Sequence, residues 1–307
     1  MSHVITKNPS ISPLQFLRRY RNLCVRLPLA SGTAGPPESR SGIRLKRYFI
    51  NSPKVHAEIR KLKADIAATE ADGVVTDDEK KDNRKRKSAI AVKQVKSDLM
   101  KKHENQRAKL KGTGPQKKEF NQRLQKAMLG KGVPEDYELW LERAVETGLC
   151  IGAGTTPTVS EIQKYLDDLR LGIDCSGFVS AYFVARGDIP YGTGYNANGW
   201  KRRGTKIADG GQIKMSDCFV EVTSEGKTKT KGIGHIMLAN GPCRAIQGFP
   251  GVYHVDVVES RGSDGLSFGP GVLFETAHHG SQRKFFCLRR HGRNKDLPVV
   301  AIRPKFN

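Results

Sequence analysis

A change of pattern near residue 171 limits what this chain can fold into more than any other feature. Before it, apolar residues recur at helical spacings between charged runs. After it, glycines become frequent and short strand-like runs alternate with turns. The junction reads Gly172-Ile173-Asp174-Cys175-Ser176-Gly177-Phe178-Val179, and Gly234-His235-Ile236-Met237-Leu238 follows downstream. A cysteine stands where a helix starts, and a histidine stands where a strand starts. Helices followed by antiparallel strands predict an α+β domain, with the helix bearing Cys175 packed on a sheet.

Three units are expected. Residues 1–52 hold Pro, Gly and Ser clusters, such as Ala34-Gly35-Pro36-Pro37-Glu38-Ser39, with little periodicity, and read as a flexible arm. Residues 53–130 read as a basic helical region. Val55, Ile59, Leu62 and Ile66 form one apolar stripe. Ile90, Val95, Leu99 and Met100 mark a second helix after the solvated charged run 77–88, and Phe120, Leu124 and Met128 mark a third that stops near Gly130. Residues 131–307 form the third unit. One of its helices opens at Pro134 with Glu135 and Asp136 behind it, and another opens with the capping box Thr158 and Glu161. Strands are expected at 218–222, 235–239, 255–258 and 284–288.

The charge is uneven. Of the formal +22, most lies in residues 1–150, which carry 32 Lys and Arg against 17 Asp and Glu; residues 151–307 carry 21 against 14. Such a field attracts polyanions, so a polyanion contact is expected through residues 53–130. No zinc-spaced CxxC pairs, RNP-like strand or basic zipper points to specific nucleic-acid readout. The six cysteines are scattered without metal-ligand spacing, so neither a disulfide framework nor a metal or organic cofactor is expected. His278 and His279 are adjacent and would point apart in a strand. No apolar run nears the ~20 residues of a membrane span. Met1 to Cys24 lacks an apolar core followed by a cleavage site, which predicts cytoplasmic synthesis without a secretory signal.

The chemistry centres on Cys175. Only a thiolate attacks a carbonyl efficiently, and a helix N-terminus favours an anion through its unpaired N–H groups and dipole. Phe178, Val179, Tyr182 and Phe183 recur on one helical face behind Cys175. Asp174 is placed to cap the helix, and the small Ser176 and Gly177 leave room for substrate beside the sulfur. His235 on a facing strand can take the thiol proton and return it to a leaving amine. A third polar group orients such an imidazole. Glu259 is the first choice, with Ser260 and His254 as alternatives. Val255, Val257 and Glu259 share a face, and that face must match the one from which His235 points. The loop Pro190 to Trp200 combines glycine, amide and aromatic groups that suit sugar or peptide recognition, so Tyr195 and Trp200 join Asp174 and Ser176 as candidate substrate-binding residues.

Asp174-Cys175-Ser176-Gly177-Phe178-Val179 resembles the nucleophile motif of the NlpC family of papain-like cell-wall cysteine peptidases. Met215-Ser216-Asp217-Cys218-Phe219-Val220 resembles the family's turn into a strand. Gly234 to Leu238 resembles its histidine strand, and Val257-Val258-Glu259-Ser260 resembles the strand carrying its third polar residue. The resemblance covers roughly residues 140–303. It implies a papain-like fold with Cys175 as nucleophile, His235 as base and Glu259 as orienter. Cysteine precedes histidine, as in the peptidase branch and unlike the permuted relatives that include lipid acyltransferases. Two departures stand out. The family's tyrosine near the active site has no counterpart in Gly148 to Thr156, and the gap from His235 to Glu259 is long.

The expected function is hydrolysis of an amide bond in peptidoglycan stem peptides. Without a signal, such an enzyme would reach the periplasm, the wall or a target cell as a phage lysin or a secreted toxin, with an immunity protein or a delivery adaptor as partner. The alternative is a papain-like protease, deamidase or acyltransferase acting on an intracellular protein. A third reading, from another class, is a basic binding protein with an inactive papain-like domain.

Overall fold

The structure is a computed structural model. It describes residues 4–28, 37–48, 55–71, 75–111, 117–150, 156–229, 234–262, 265–276, 285–290, 293 and 295–306. The helices are α1 (Pro13–Tyr20), α2 (Val55–Glu70), α3 (Asp77–Leu110), α4 (Lys117–Met128), α5 (Pro134–Glu146), α6 (Val159–Leu169), α7 (Cys175–Arg186) and α8 (Ala197–Arg202). The strands are β1 (Leu23–Arg26), β2 (Ser39–Ile43), β3 (Gly204–Ile207), β4 (Cys218–Glu221), β5 (Ile236–Ala239), β6 (Arg244–Ala245), β7 (Val252–Arg261), β8 (Gly265–Glu275), β9 (Phe286–Arg290) and β10 (Leu297–Pro304). The chain is α+β, as its pattern predicts. No helix among the described residues is long and apolar enough to cross a membrane.

The sheet closes on itself. β10 pairs with β4, the ladder continues through β5, β7, β8 and β9, and β9 returns to β10. Six antiparallel strands thus form a barrel, with β3 added along β10 and β6 along β7. Side chains alternate strictly across its wall, as strand geometry requires. Phe219, Met237, Ala239, Val255, Val257, Leu273, Phe286, Leu288, Val299 and Ala301 fill the interior. Their neighbours Cys218, Val220, Ile236, Leu238, Val258, Val300 and Ile302 face outward into a second core shared with the helices.

α7 is the centre of that second core. Every residue from Cys175 to Ala185 is buried, so the helix is covered all round rather than on the single face expected. The barrel wall covers one side. The cover elsewhere includes α1 and β1, both within the stretch 1–52 read from the sequence as a flexible arm. Ser12 caps α1 with a full capping box. Phe16 lies 5.6 Å from Phe178 and 5.7 Å from Tyr182 between ring centroids. The Tyr20 hydroxyl donates to Gly132 O at 2.7 Å, and the Leu14 N–H donates to Asn240 Oδ1 at 2.9 Å. Acidic residues of α5 hold the same segment: Glu135 pairs with Arg19 at 2.6 Å and Glu142 with Arg26 at 3.0 Å. Leu110 of α3 and Leu124, Ala127 and Met128 of α4, which precede the expected boundary at residue 131, enter this core too.

α2 and α3 pack against each other as a basic hairpin. The charged run 77–88 is solvated, as expected, but it is helical and continuous with the helix that follows. Thr76 caps it with Glu79, and it forms the first turns of a single 34-residue helix. Val95 stays exposed, as does Val92 beside it.

Candidate active site

Three elements meet at one end of the barrel. The first is the N-terminus of α7. Asp174 is extended, and its Oδ1 accepts from the Gly177 N–H at 2.5 Å, which caps the helix and makes Cys175 its first residue. Lys131 fixes the cap by donating to Asp174 Oδ1 at 2.8 Å and to Ser176 Oγ at 2.6 Å. Gly177 is required by a close approach: a Cβ there would lie 2.1 Å from the Gly130 carbonyl oxygen. Its small size therefore admits a neighbouring loop, not substrate.

The second and third elements are β5 and β7. His235 immediately precedes β5, and its carbonyl accepts from the Glu221 N–H at 2.8 Å. It has the parity of Met237 and Ala239, and Glu259 has the parity of Val255 and Val257, so both continue interior rows of the barrel. Arg261 follows Glu259 in its row, and Arg290 follows Leu288 in β9. The apolar interior thus ends in a charged cluster at the barrel mouth. His235 Nε2 sits 2.5 Å from Glu259 Oε2. Arg290 Nη1 lies 2.8 Å from the same oxygen, and Arg261 Nη1 lies 3.0 Å from Oε1.

The electrostatics follow from these contacts. Burial by itself would lower the His235 pKa. Hydrogen bonds to Cys175 and Glu259 and the negative charges of both outweigh that, and raise it to about 9. Burial likewise pushes the Glu259 carboxyl up, but the His235 hydrogen bond and the charges of His235, Arg290 and Arg261 bring it below its ordinary value. With Nε2 committed to Glu259, Nδ1 is the ring nitrogen left to serve Cys175.

Tyr48 was not identified from the sequence. Its hydroxyl lies 3.8 Å from Cys175 Sγ, which itself lies 3.9 Å from the Gly234 carbonyl oxygen. Burial first, then the charge of Cys175 and a hydrogen bond to it, raise the Tyr48 pKa, so the hydroxyl keeps its proton and can donate toward sulfur. The chain brings it there through a parallel bridge between Arg47 and Gly172, with the Ile173 N–H donating to Arg47 O at 3.1 Å. The family's tyrosine would fall in Gly148 to Thr156, of which 151–155 lie outside the described residues. The one in contact comes from the segment read as an arm.

The other candidates separate cleanly. Ser260 faces the opposite side of β7 and donates to Ile173 O at 2.6 Å, so it holds the approach to α7 and not the imidazole. His254 lies on the exposed part of β7, paired with Arg244 in β6. Asp174 and Ser176 are buried, and their oxygens are engaged with each other, Gly177 and Lys131; they shape the helix start and do not reach out to substrate. Trp200 is also buried, its Nε1 donating to Ser180 Oγ at 3.3 Å and its ring against Phe183. Tyr195 is half-buried, with Trp200 edge-on and the Arg203 guanidinium 4.3 Å from its ring centroid. The loop's aromatics are therefore packing elements, although α8 does border Gly234 through Ala197. His278 and His279 lie outside the described residues. Among the described residues no group of three or more His, Cys, Asp or Glu is placed to hold a metal ion. No protein-family model matches the chain, and no characterised protein and no solved structure matches it either.

Proposed function

We propose that this chain is a cysteine hydrolase of papain-like, NlpC-type mechanism that cleaves an amide bond in peptidoglycan stem peptides. The observation that carries the reading is the convergence of Cys175, His235 and Glu259, from three separate elements, at the barrel mouth. The motif order, with cysteine at a helix start, histidine just before β5 and the acid on β7, which pairs with β5, supports the same branch of chemistry.

In the first step Cys175 Sγ attacks the amide carbonyl carbon, and the thiol proton resides on His235. The oxyanion that forms faces the helix start, where the backbone N–H of Cys175 has no partner within the helix. Collapse breaks the C–N bond. His235 returns its proton to the amine, which leaves a thioester on Cys175. Water then attacks that thioester as His235 removes a proton, and the carboxylic acid and free thiol are released. Glu259 keeps the imidazole oriented and stabilises its cationic form; Arg261 and Arg290 keep Glu259 ionised.

The test is digestion of purified sacculi by the full chain, with Cys175→Ala as control and mass spectrometry of the products. New muropeptides from the wild type alone are expected, and their ends name the bond. Intact sacculi beside a rapidly alkylated Cys175 would turn the substrate assignment toward intracellular proteins or acyl donors.

A further inference from the structure

Lys131 lies outside every motif that suggests the chemistry, yet its ammonium group is aimed at the start of α7. It meets Asp174 Oδ2 at 2.6 Å and Asp174 Oδ1 at 2.8 Å, and it donates to Ser176 Oγ at 2.6 Å. The residues on either side of Cys175 are thus held by one cation. The backbone delivers it there. Gly130 O accepts from the Asp174 N–H at 3.1 Å, and the Lys131 N–H donates to Lys126 O at 2.9 Å in the last turn of α4. Gly177 lets this loop approach α7.

An aspartate cap creates a conflict at this position. Asp174 satisfies the Gly177 N–H and fixes the helix start. It also precedes the thiol directly in the chain, and a negative charge there opposes a second one on sulfur. The field of Asp174 does reach these surroundings. Its charge is among the causes that raise the pKa of Tyr48, whose hydroxyl lies 3.8 Å from Cys175 Sγ. The other groups near the sulfur are committed elsewhere. His235 is bonded to Glu259, which Arg261 and Arg290 hold, and Tyr137 of α5 donates to Gly172 O at 2.8 Å. The cation that meets Asp174 is Lys131. The carboxylate is 11% exposed and the lysine 34%, so water screens the pair only in part.

Building on the hydrolase reading, we propose that Lys131 is a positioning residue for Cys175: it neutralises the Asp174 carboxylate, so that α7 keeps its aspartate cap without opposing the thiolate. The field left at the sulfur is then that of the helix N–H groups and of His235.

The experiment titrates the Cys175 thiolate by its ultraviolet absorbance in the full chain, each variant read against the same variant carrying Cys175→Ala. Lys131→Met should raise the midpoint by at least about one pH unit, the size of an uncompensated neighbouring charge. Lys131→Arg keeps the charge and should stay within a few tenths of a unit of wild type. Asp174→Asn keeps a helix cap and should lower the midpoint. Lys131→Met combined with Asp174→Asn removes both charges and should return the midpoint to that of wild type. A packing role gives no such return, because the double variant loses more contacts than either single one. An unmoved midpoint in Lys131→Met, or a double variant as high as Lys131→Met alone, overturns the proposal. Asp174→Asn tests the same charge from the other side and stands even where Lys131→Met fails to fold: a midpoint that does not fall overturns the proposal too. Iodoacetamide labelling of Cys175 is measured in parallel. A rate that does not respond to His235→Gln sinks the hydrolase reading, while the titration still decides the role of Lys131.

Discussion

Deleting residues 1–48 should leave a chain that cannot fold. Phe16, Leu17, Tyr20, Leu23, Val25, Ile43 and Leu45 are all essentially inaccessible to solvent in the core around α7. Each such side chain contributes about 1.5–3 kcal/mol on burial, so the group contributes on the order of 10–20 kcal/mol. A domain's whole stability is about 5–15 kcal/mol. The deletion also exposes Phe178 and Tyr182, which would then face water. Circular dichroism and urea denaturation of residues 49–307, beside the full chain, make the comparison. The fragment should lack near-ultraviolet signal and a cooperative transition. The single substitution Phe16→Ala gives a milder version, costing about 3–5 kcal/mol with the fold retained. A cooperative 49–307 fragment within about 2 kcal/mol of the full chain would refute the view that this segment is part of the core.

Other outcomes follow from the site. Glu259→Gln removes one of the two groups that raise the His235 pKa to about 9, so His235 should titrate at least about one unit lower, followed by histidine NMR with His235→Gln to assign the signal. The raised His235 pKa also gives a sign to stability: its contribution is full below the unfolded value near 6.5 and is lost as pH rises through about 9. The stability difference between wild type and His235→Gln should accordingly shrink by up to about 3 kcal/mol between pH 6 and pH 10, measured by denaturant titration. Gly177→Ala forces a methyl against the Gly130 carbonyl and should cost about 1–3 kcal/mol and slow Cys175 alkylation; unchanged values for both would remove the close-approach argument.

Much of the site was legible because it is local. Asp174, Cys175 and Gly177 form a cap, a first helical residue and a contact point within one turn. The parity argument for Val255, Val257 and Glu259 needs only strand periodicity, and the structure meets it through Met237 and Ala239. What escaped was non-local or disguised. Gly269-Pro270-Gly271 reads as a turn, yet it runs through the middle of β8, where Pro270 lies opposite Asp256. Pro298 and Pro304 argue against a strand, yet β10 closes the barrel. Closure itself leaves no mark, since a barrel wall and an open sheet with both faces covered alternate alike. The clue to the N-terminal cover was present in α7: a helix apolar on every side must be enclosed, and one sheet cannot enclose it. Tyr48 depended on the Arg47–Gly172 bridge, which no local pattern announces.

The central claim is that Cys175 is a nucleophile served by His235. Its most direct test is the rate of iodoacetamide labelling at each cysteine of the full chain near neutral pH, located by mass spectrometry, in wild type and His235→Gln. Cys175 is buried and Cys24 exposed, so access alone would favour Cys24. The account predicts that Cys175 reacts faster than Cys24 and slows at least about tenfold in His235→Gln. Labelling of Cys24 ahead of Cys175, with no response to His235→Gln, would contradict it.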